Sequence, residues 1–148
     1  MAGSARIGIL GGTFDPPHSG HLKLAERALK ELKLDRVLLM PVHTAPHKRR
    51  ERRGASPHAR LEMCKLAVQG LQGICASDVE VRRGGPSYTV DTLEEIHEQL
   101  PDARLTIILG ADMARTLSSW RDPRRLLELA EVARILIHGR HRADARIA

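Results

Sequence analysis

The sequence predicts a doubly wound α/β domain with an all-parallel sheet. Short apolar runs alternate with stretches of helical period along the chain, the connections between them are short, and the apolar runs lack the strict alternation of a half-exposed strand. Parallel neighbours need right-handed helical crossovers, so this order implies helices on both faces. Ligands of such sheets bind at the carboxyl ends of the strands, near the point where strand order reverses. The chemistry is therefore expected just after the first, second and fourth strands.

Arg6 to Leu10 reads as a buried strand ending in Gly11-Gly12. From Ser19 to Lys33, Leu22, Ala25, Leu29 and Leu32 recur on one helical face. Arg36 to Pro41 is a second strand, followed by a polar, basic loop to Ser56. Ser56-Pro57 starts a helix as N-cap and first residue, with Leu61, Cys64, Val68 and Leu71 inward and Gly70 and Gly73 closing it. Ile74 to Val81 is expected to be the third strand. The turn Gly84-Gly85-Pro86-Ser87 delivers Ser87 as N-cap of a helix that buries Val90, Leu93, Ile96 and Leu100 and ends at Pro101. Arg104 to Leu109 is the fourth strand, and Gly110 to Met113 leads into a short helix. Asp122-Pro123 caps a helix over Arg124 to Glu131, and Val132 to His138 is the fifth strand.

A chain of 148 residues fits a single domain, 1–148. Its 42% hydrophobic and 28% charged residues exclude disorder, and no apolar run approaches the eighteen or so residues of a membrane span. Met1 to Pro17 lacks the apolar core and cleavage site of a signal peptide, so a cytoplasmic protein with no membrane partner is expected. Cys64 and Cys75 are then two reduced, buried thiols. The net charge of +6 is concentrated between Pro46 and Arg53, where Lys48, Arg49, Arg50, Arg52 and Arg53 meet only Glu51. A polyanionic partner fits. Nucleic acid fits the charge, but aromatics make up only 2%, namely Phe14, Tyr88 and Trp120, too few for a base-stacking platform, so no nucleic-acid partner is expected. A small phosphorylated ligand is expected instead.

The first strand runs into Gly11-Gly12-Thr13-Phe14-Asp15-Pro16-Pro17-His18-Ser19-Gly20-His21. This is neither a Walker A loop nor a G-x-G-x-x-G fingerprint, but the physics is related. Paired glycines let backbone approach a phosphate, and the following helix offers free N–H groups to an anion. His18 and His21, three apart at that helix start, can aim both imidazoles at one phosphate. The plainer reading of such a pair is a surface feature or half a metal site.

These residues resemble the signature of the His-x-Gly-His nucleotidyltransferases and, within them, the bacterial nicotinate-nucleotide adenylyltransferases. Three further segments agree, in family order. Ala45-Pro46-His47-Lys48 is similar to the family's Pro-Pro-His-Lys loop, Pro86 to Leu93 to its Pro-Ser-Tyr-Thr segment, and Gly110-Ala111-Asp112-Met113 with Trp120 to its Gly-x-Asp and Trp region. Ala45 departs from the first proline, and the family's C-terminal Ser-Ser-Thr-x-x-Arg motif has no counterpart. The resemblance thus implies a Rossmann-like nucleotidyltransferase fold, here expected without its usual C-terminal helical segment. Arg134, Arg140 and Arg142 are candidates to replace the contacts of that segment.

The activity implied is transfer of the adenylyl group of ATP to nicotinate mononucleotide, in NAD biosynthesis. His18 and His21 would be catalytic. Gly11, Gly12, Thr13, Phe14, His47, Lys48, Gly110 and Asp112 would bind ATP and its phosphates, and Tyr88, Thr89 and Trp120 the mononucleotide. Mg²⁺ would be bound through the nucleotide phosphates, with no metal site of the protein's own. Several of these residues also have a plain structural reading: Lys48 to Arg53 as a solvated loop, Ser87 and Asp112 as helix caps, Tyr88 as core, Trp120 as a buried anchor with its N–H bonded. Two rival functions remain. Phosphopantetheine adenylyltransferase shares the fold but resembles this chain less, having Thr or Asn where His18 stands and no Ser-Tyr-Thr segment. A nucleotide-binding module without turnover is the other, and the sequence leaves a homo-oligomer open.

Overall fold

The computed structural model describes residues 4–46, 54–135 and 146–147. Along the chain run β1 (Arg6–Gly12), α1 (Ser19–Glu31), β2 (Arg36–Pro41), α2 (Pro57–Val68), β3 (Ile74–Ala76), α3 (Val79–Arg83), α4 (Thr89–Gln99), β4 (Arg104–Leu109), α5 (Ala111–Ala114), a 3₁₀ turn (Leu117–Ser119), α6 (Pro123–Leu129), β5 (Ala130–Arg134) and β6 (Arg146–Ile147). The sheet order is β3-β2-β1-β4-β5-β6. The first five strands are parallel, as expected for a Rossmann-like α/β fold. The sheet as a whole is not all-parallel, because β6 runs antiparallel to β5 at the edge. Strand order reverses between β1 and β4, so a ligand fits at the carboxyl end of β1 beside this switch point.

Successive strand residues point to opposite faces, and each face buries its own core. Leu10, Val37, Leu39, Ile74 and Ile108 pack with Leu24, Ala25 and Ala28 of α1 and Cys64 and Val68 of α2. On the other face Ile7, Ile9, Met40, Leu105, Ile107 and Leu109 pack with Val79, Leu93, Ile96 and Leu126. Each fully buried aliphatic side chain is worth about 1.5–3 kcal/mol, so these layers outweigh exposed ion pairs such as Arg82–Asp78, worth about 1 kcal/mol at most. No helix among the described residues is long and apolar enough to cross a membrane.

Several boundaries differ from the sequence reading. The expected third strand, Ile74 to Val81, stops at Ala76, and α3 takes Val79 to Arg83. A short apolar run cannot distinguish strand from buried helix, and here the Ser77 hydroxyl accepts from the Val79 N–H (3.3 Å), supporting the helix start. Leu100, expected inside, is 47% exposed, because the chain leaves helical geometry there. The fifth strand begins two residues early, at Ala130, and 136–138 lie outside the described residues. Of the two free thiols, Cys64 is buried but Cys75 only half-buried.

Candidate active site

The carboxyl end of β1 opens directly into α1. Gly11 and Gly12 are the last residues of the strand, and Phe14 follows with φ 53°, a left-handed turn that drives its ring inward to 2% exposure. A Cβ on Gly12 would stand 3.2 Å from Phe14 Cζ, so the glycine leaves room for the ring to fold back. The Phe14 and His21 rings meet edge to face, their centroids 4.7 Å apart, so the buried Phe14 backs His21.

His18 is the N-cap of α1. Its Nδ1 accepts the Gly20 N–H at 3.1 Å, while the His21 Nδ1 accepts the N–H of His18 at 3.0 Å. This is a capping box in which imidazoles take both places. The two rings stack at 3.7 Å, 25° from parallel. An Nδ1 that accepts carries no hydrogen, so the neutral rings hold theirs on Nε2, as this bonding pattern assigns it. Burial and, secondarily, the neighbouring His18 lower the pKa of His21, favouring its neutral form. No acid sits in the first turn of α1 to offset the positive end of the helix.

Around the histidines lies an open cavity of about 800 Å³, lined also by Thr13, Phe14, Asp15, Val42, His43, Thr44 and Arg60. Its size suits a nucleotide. Burial pushes the Cys64 thiol up to about 11, so the thiol near this cavity is no nucleophile at neutral pH.

The Pro86–Ser87 turn lies against the loop that follows β2. Thr44 bridges to Pro86, the Ser87 N–H donates to Thr44 O (2.9 Å), and the Ser87 hydroxyl accepts from the His43 N–H (2.9 Å). Ser87 is thus a stitch between loops. The N-cap of α4 is Tyr88, a correction to the sequence reading. Tyr88 and Thr89 are half-buried at that helix start, and the Arg121 guanidinium stands over the Tyr88 ring at 4.5 Å. Trp120 packs partly against the core and donates its Nε1–H to the Thr116 hydroxyl (2.9 Å). Gly110 ends β4 as the N-cap of the one-turn α5.

The structure therefore brings Thr13, Phe14, His18 and His21 together in one cavity and sets Gly11, Gly12 and Gly110 at the ends of β1 and β4. Tyr88, Thr89 and Trp120 do not line that cavity. His47, Lys48 and the loop Arg49 to Arg53 lie outside the described residues, as do Arg140, Arg142 and the side chain of Asp112. Sequence reasoning missed Arg60 and Arg121. The first reads as a solvent-facing charge on a helix, and the second as one more basic residue in a basic chain. Among the described residues no three His, Cys, Asp or Glu side chains come together as a metal-binding set.

Against known proteins, residues 9–145 match the profile of the cytidylyltransferase-like family. A probable nicotinate-nucleotide adenylyltransferase of Desulfatibacillum aliphaticivorans is 47% identical over 125 residues, covering 84% of this chain and 56% of that protein. One from Desulfitobacterium hafniense is 49% identical, covering 84% and 60%. The chain thus spans rather more than half the length of these relatives. The nicotinic acid mononucleotide adenylyltransferase of Plasmodium falciparum, solved with NaAD, superposes with a TM-score of 0.74 at 20% identity, over 89% of this chain and 64% of that one. At that identity the likeness is one of fold.

Proposed function

The chain belongs to the cytidylyltransferase-like family, and from that membership we propose that it transfers the adenylyl group of ATP to nicotinate mononucleotide. The products are nicotinate adenine dinucleotide and pyrophosphate, a step of NAD synthesis in the cytoplasm. The observation that carries this reading is the stacked His18–His21 pair, both Nδ1 atoms occupied by backbone N–H groups, at the start of α1. The named relatives support the choice of substrates.

In this reaction a 5′-phosphate oxygen of the mononucleotide attacks the α-phosphorus of ATP, and the bond from that phosphorus to the bridging oxygen of the β-phosphate breaks. The attacking phosphate is already ionised at neutral pH, so no protein nucleophile or base is needed. Catalysis reduces to alignment and to stabilising charge on the phosphates. His18 and His21 donate from Nε2 to oxygens of the α- and β-phosphates. With each Nδ1 accepting a backbone N–H, the rings act as neutral donors, the form that burial favours at His21. The backbone of Gly11 to Phe14 lines the phosphates, and His47 and Lys48 add positive charge. Gly110 and Asp112 take the adenosine side, and Tyr88, Thr89 and Trp120 the pyridine ring.

A Mg²⁺ would enter on the substrate, held through the nucleotide's own phosphate oxygens, where it would supply further charge neutralisation.

The test is pyrophosphate release from Mg-ATP with nicotinate mononucleotide, nicotinamide mononucleotide or phosphopantetheine as acceptor. Release dependent on the first supports the proposal. Release only with phosphopantetheine transfers the chain to that rival, and nucleotide binding without release with any acceptor makes it a binding module.

A further inference from the structure

Arg60 lies on α2, a helix that packs Cys64 and Val68 into the core against the sheet. Its residue is only 5% exposed, yet no carboxylate among the described residues is within ion-pairing distance of it. Instead the guanidinium donates to four main-chain carbonyls. Nη1 reaches Thr13 O (2.9 Å) and Val42 O (2.7 Å), Nη2 reaches His43 O (3.1 Å), and Nε reaches Ala55 O (3.3 Å). These carbonyls come from the loop after β1, the loop after β2 and the approach to α2, and all four residues line the cavity. A planar fork of five N–H donors can hold them at once; an ammonium cannot.

Drawing in a carbonyl fixes more than the oxygen. The C=O and N–H of a trans peptide point in opposite directions, so the Val42 carbonyl held by Arg60 turns the His43 N–H outward, where it meets the Ser87 hydroxyl. One peptide is thereby held between Arg60 and the residue preceding Tyr88. Likewise, the Thr13 carbonyl held by Arg60 sets the direction of the Phe14 N–H beside the histidines.

We infer that Arg60 is the positioning residue that holds the ATP side of the site, at Thr13–Phe14, in fixed register with the acceptor side, at His43–Ser87–Tyr88. The inference rests on the proposed adenylyl transfer, since it concerns the relative placement of the two substrates. Each half-site keeps its own binding groups without Arg60. What is lost is their mutual alignment, and misplacement of about an ångström is enough to cost about 10²-fold in rate.

The experiment compares wild type, R60K and R60A. Thermal melting gives the folded fraction, isothermal titration calorimetry gives the separate Kd values for ATP and nicotinate mononucleotide, and kcat is taken per mole of folded protein. In R60K each Kd stays within about threefold while kcat falls about 10²-fold. Guanidinium chloride at tens of millimolar restores at least about tenfold of the rate of R60A, and sodium chloride at equal concentration does not. Wild-type kcat in R60K, activity loss that only tracks unfolding, or absence of guanidinium rescue overturns the role of Arg60 and leaves the functional reading standing. A wild-type protein that makes no dinucleotide overturns the functional reading itself, and this inference with it.

Discussion

The Gly20 N–H donates to His18 Nδ1 at 3.1 Å, and a Cβ at position 20 would stand 2.9 Å from the Cε1 of that same ring. The glycine of His-x-Gly-His therefore serves the histidine two residues before it. It supplies the hydrogen bond that assigns the tautomer and the empty space that lets the ring lie over its own cap.

Replacing Gly20 separates function from helix stability. Alanine ordinarily favours a helix over glycine by up to about 1 kcal/mol, but here its methyl displaces the His18 imidazole. G20A is expected to keep its melting temperature within a few degrees while kcat/KM falls about tenfold or more. Unchanged kcat/KM would show that the pose of His18 is immaterial.

Removing either histidine side chain is expected to lower turnover about 10²–10³-fold, the usual cost of one donor to transition-state charge. Because His18 is also the N-cap, H18A loses about 1 kcal/mol of stability as well. H18N keeps a capping group but lacks Nε2, so circular dichroism melts and steady-state kinetics on both variants divide the two roles. Near-native rates in H18N and H21A would remove the phosphate role.

Arg121 lies over the Tyr88 ring and makes no ion pair among the described residues, which places a positive charge where the pyridine ring is proposed to bind. The protein should prefer nicotinate over nicotinamide mononucleotide, and R121A should lower the ratio of their kcat/KM values about tenfold, mostly through the acid. A ratio that R121A leaves unchanged would assign acid selection to other groups.

Glu80 gives the fold a pH dependence. It is 4% exposed, its Oε1 meets no hydrogen-bond partner among the described residues, and its Oε2 accepts from the Thr92 hydroxyl at 2.7 Å. Burial pushes its carboxyl up to about 7 against the opposing pull of Thr92, Arg83 and Ser87. Between the ordinary carboxylate value and about 7, the folded state holds a proton that the unfolded state has released. Stability should therefore fall as pH rises through that window and level off above it. Urea midpoints at pH 5, 6 and 7.5 should show wild type losing up to a few kcal/mol relative to E80Q. Parallel profiles would contradict the assignment.

Much of this architecture was legible in the residues because local signals agreed with the fold. Arg36–Pro41 and Arg104–Leu109 are strands with the expected bounds, and Ser56-Pro57 opens α2 as its residue types require. The stretch after Ser77 was not legible, since Val79 and Val81 suit a strand as well as the face of one helical turn, and only packing decides. At the candidate site, the facing histidines followed from their spacing. Arg60 did not, because its partners are main-chain carbonyls brought together by tertiary folding, and carbonyls leave no mark in a sequence. The role of Ser87 was hidden for a similar reason: its hydroxyl partner lies 44 positions away, at His43.

The central claim is that both imidazoles present Nε2–H to a nucleotide's phosphates. Long-range ¹H–¹⁵N correlation NMR of His18 and His21, before and after addition of Mg-ATP, reads it most directly, with H18N and H21N spectra assigning the signals. The account predicts Nε2–H tautomers for both rings in the free protein and, with ATP bound, a displacement of both Nε2 signals while each Nδ1 stays unprotonated. Nδ1–H tautomers in the free protein, or signals that ignore ATP at saturating concentration, would contradict it.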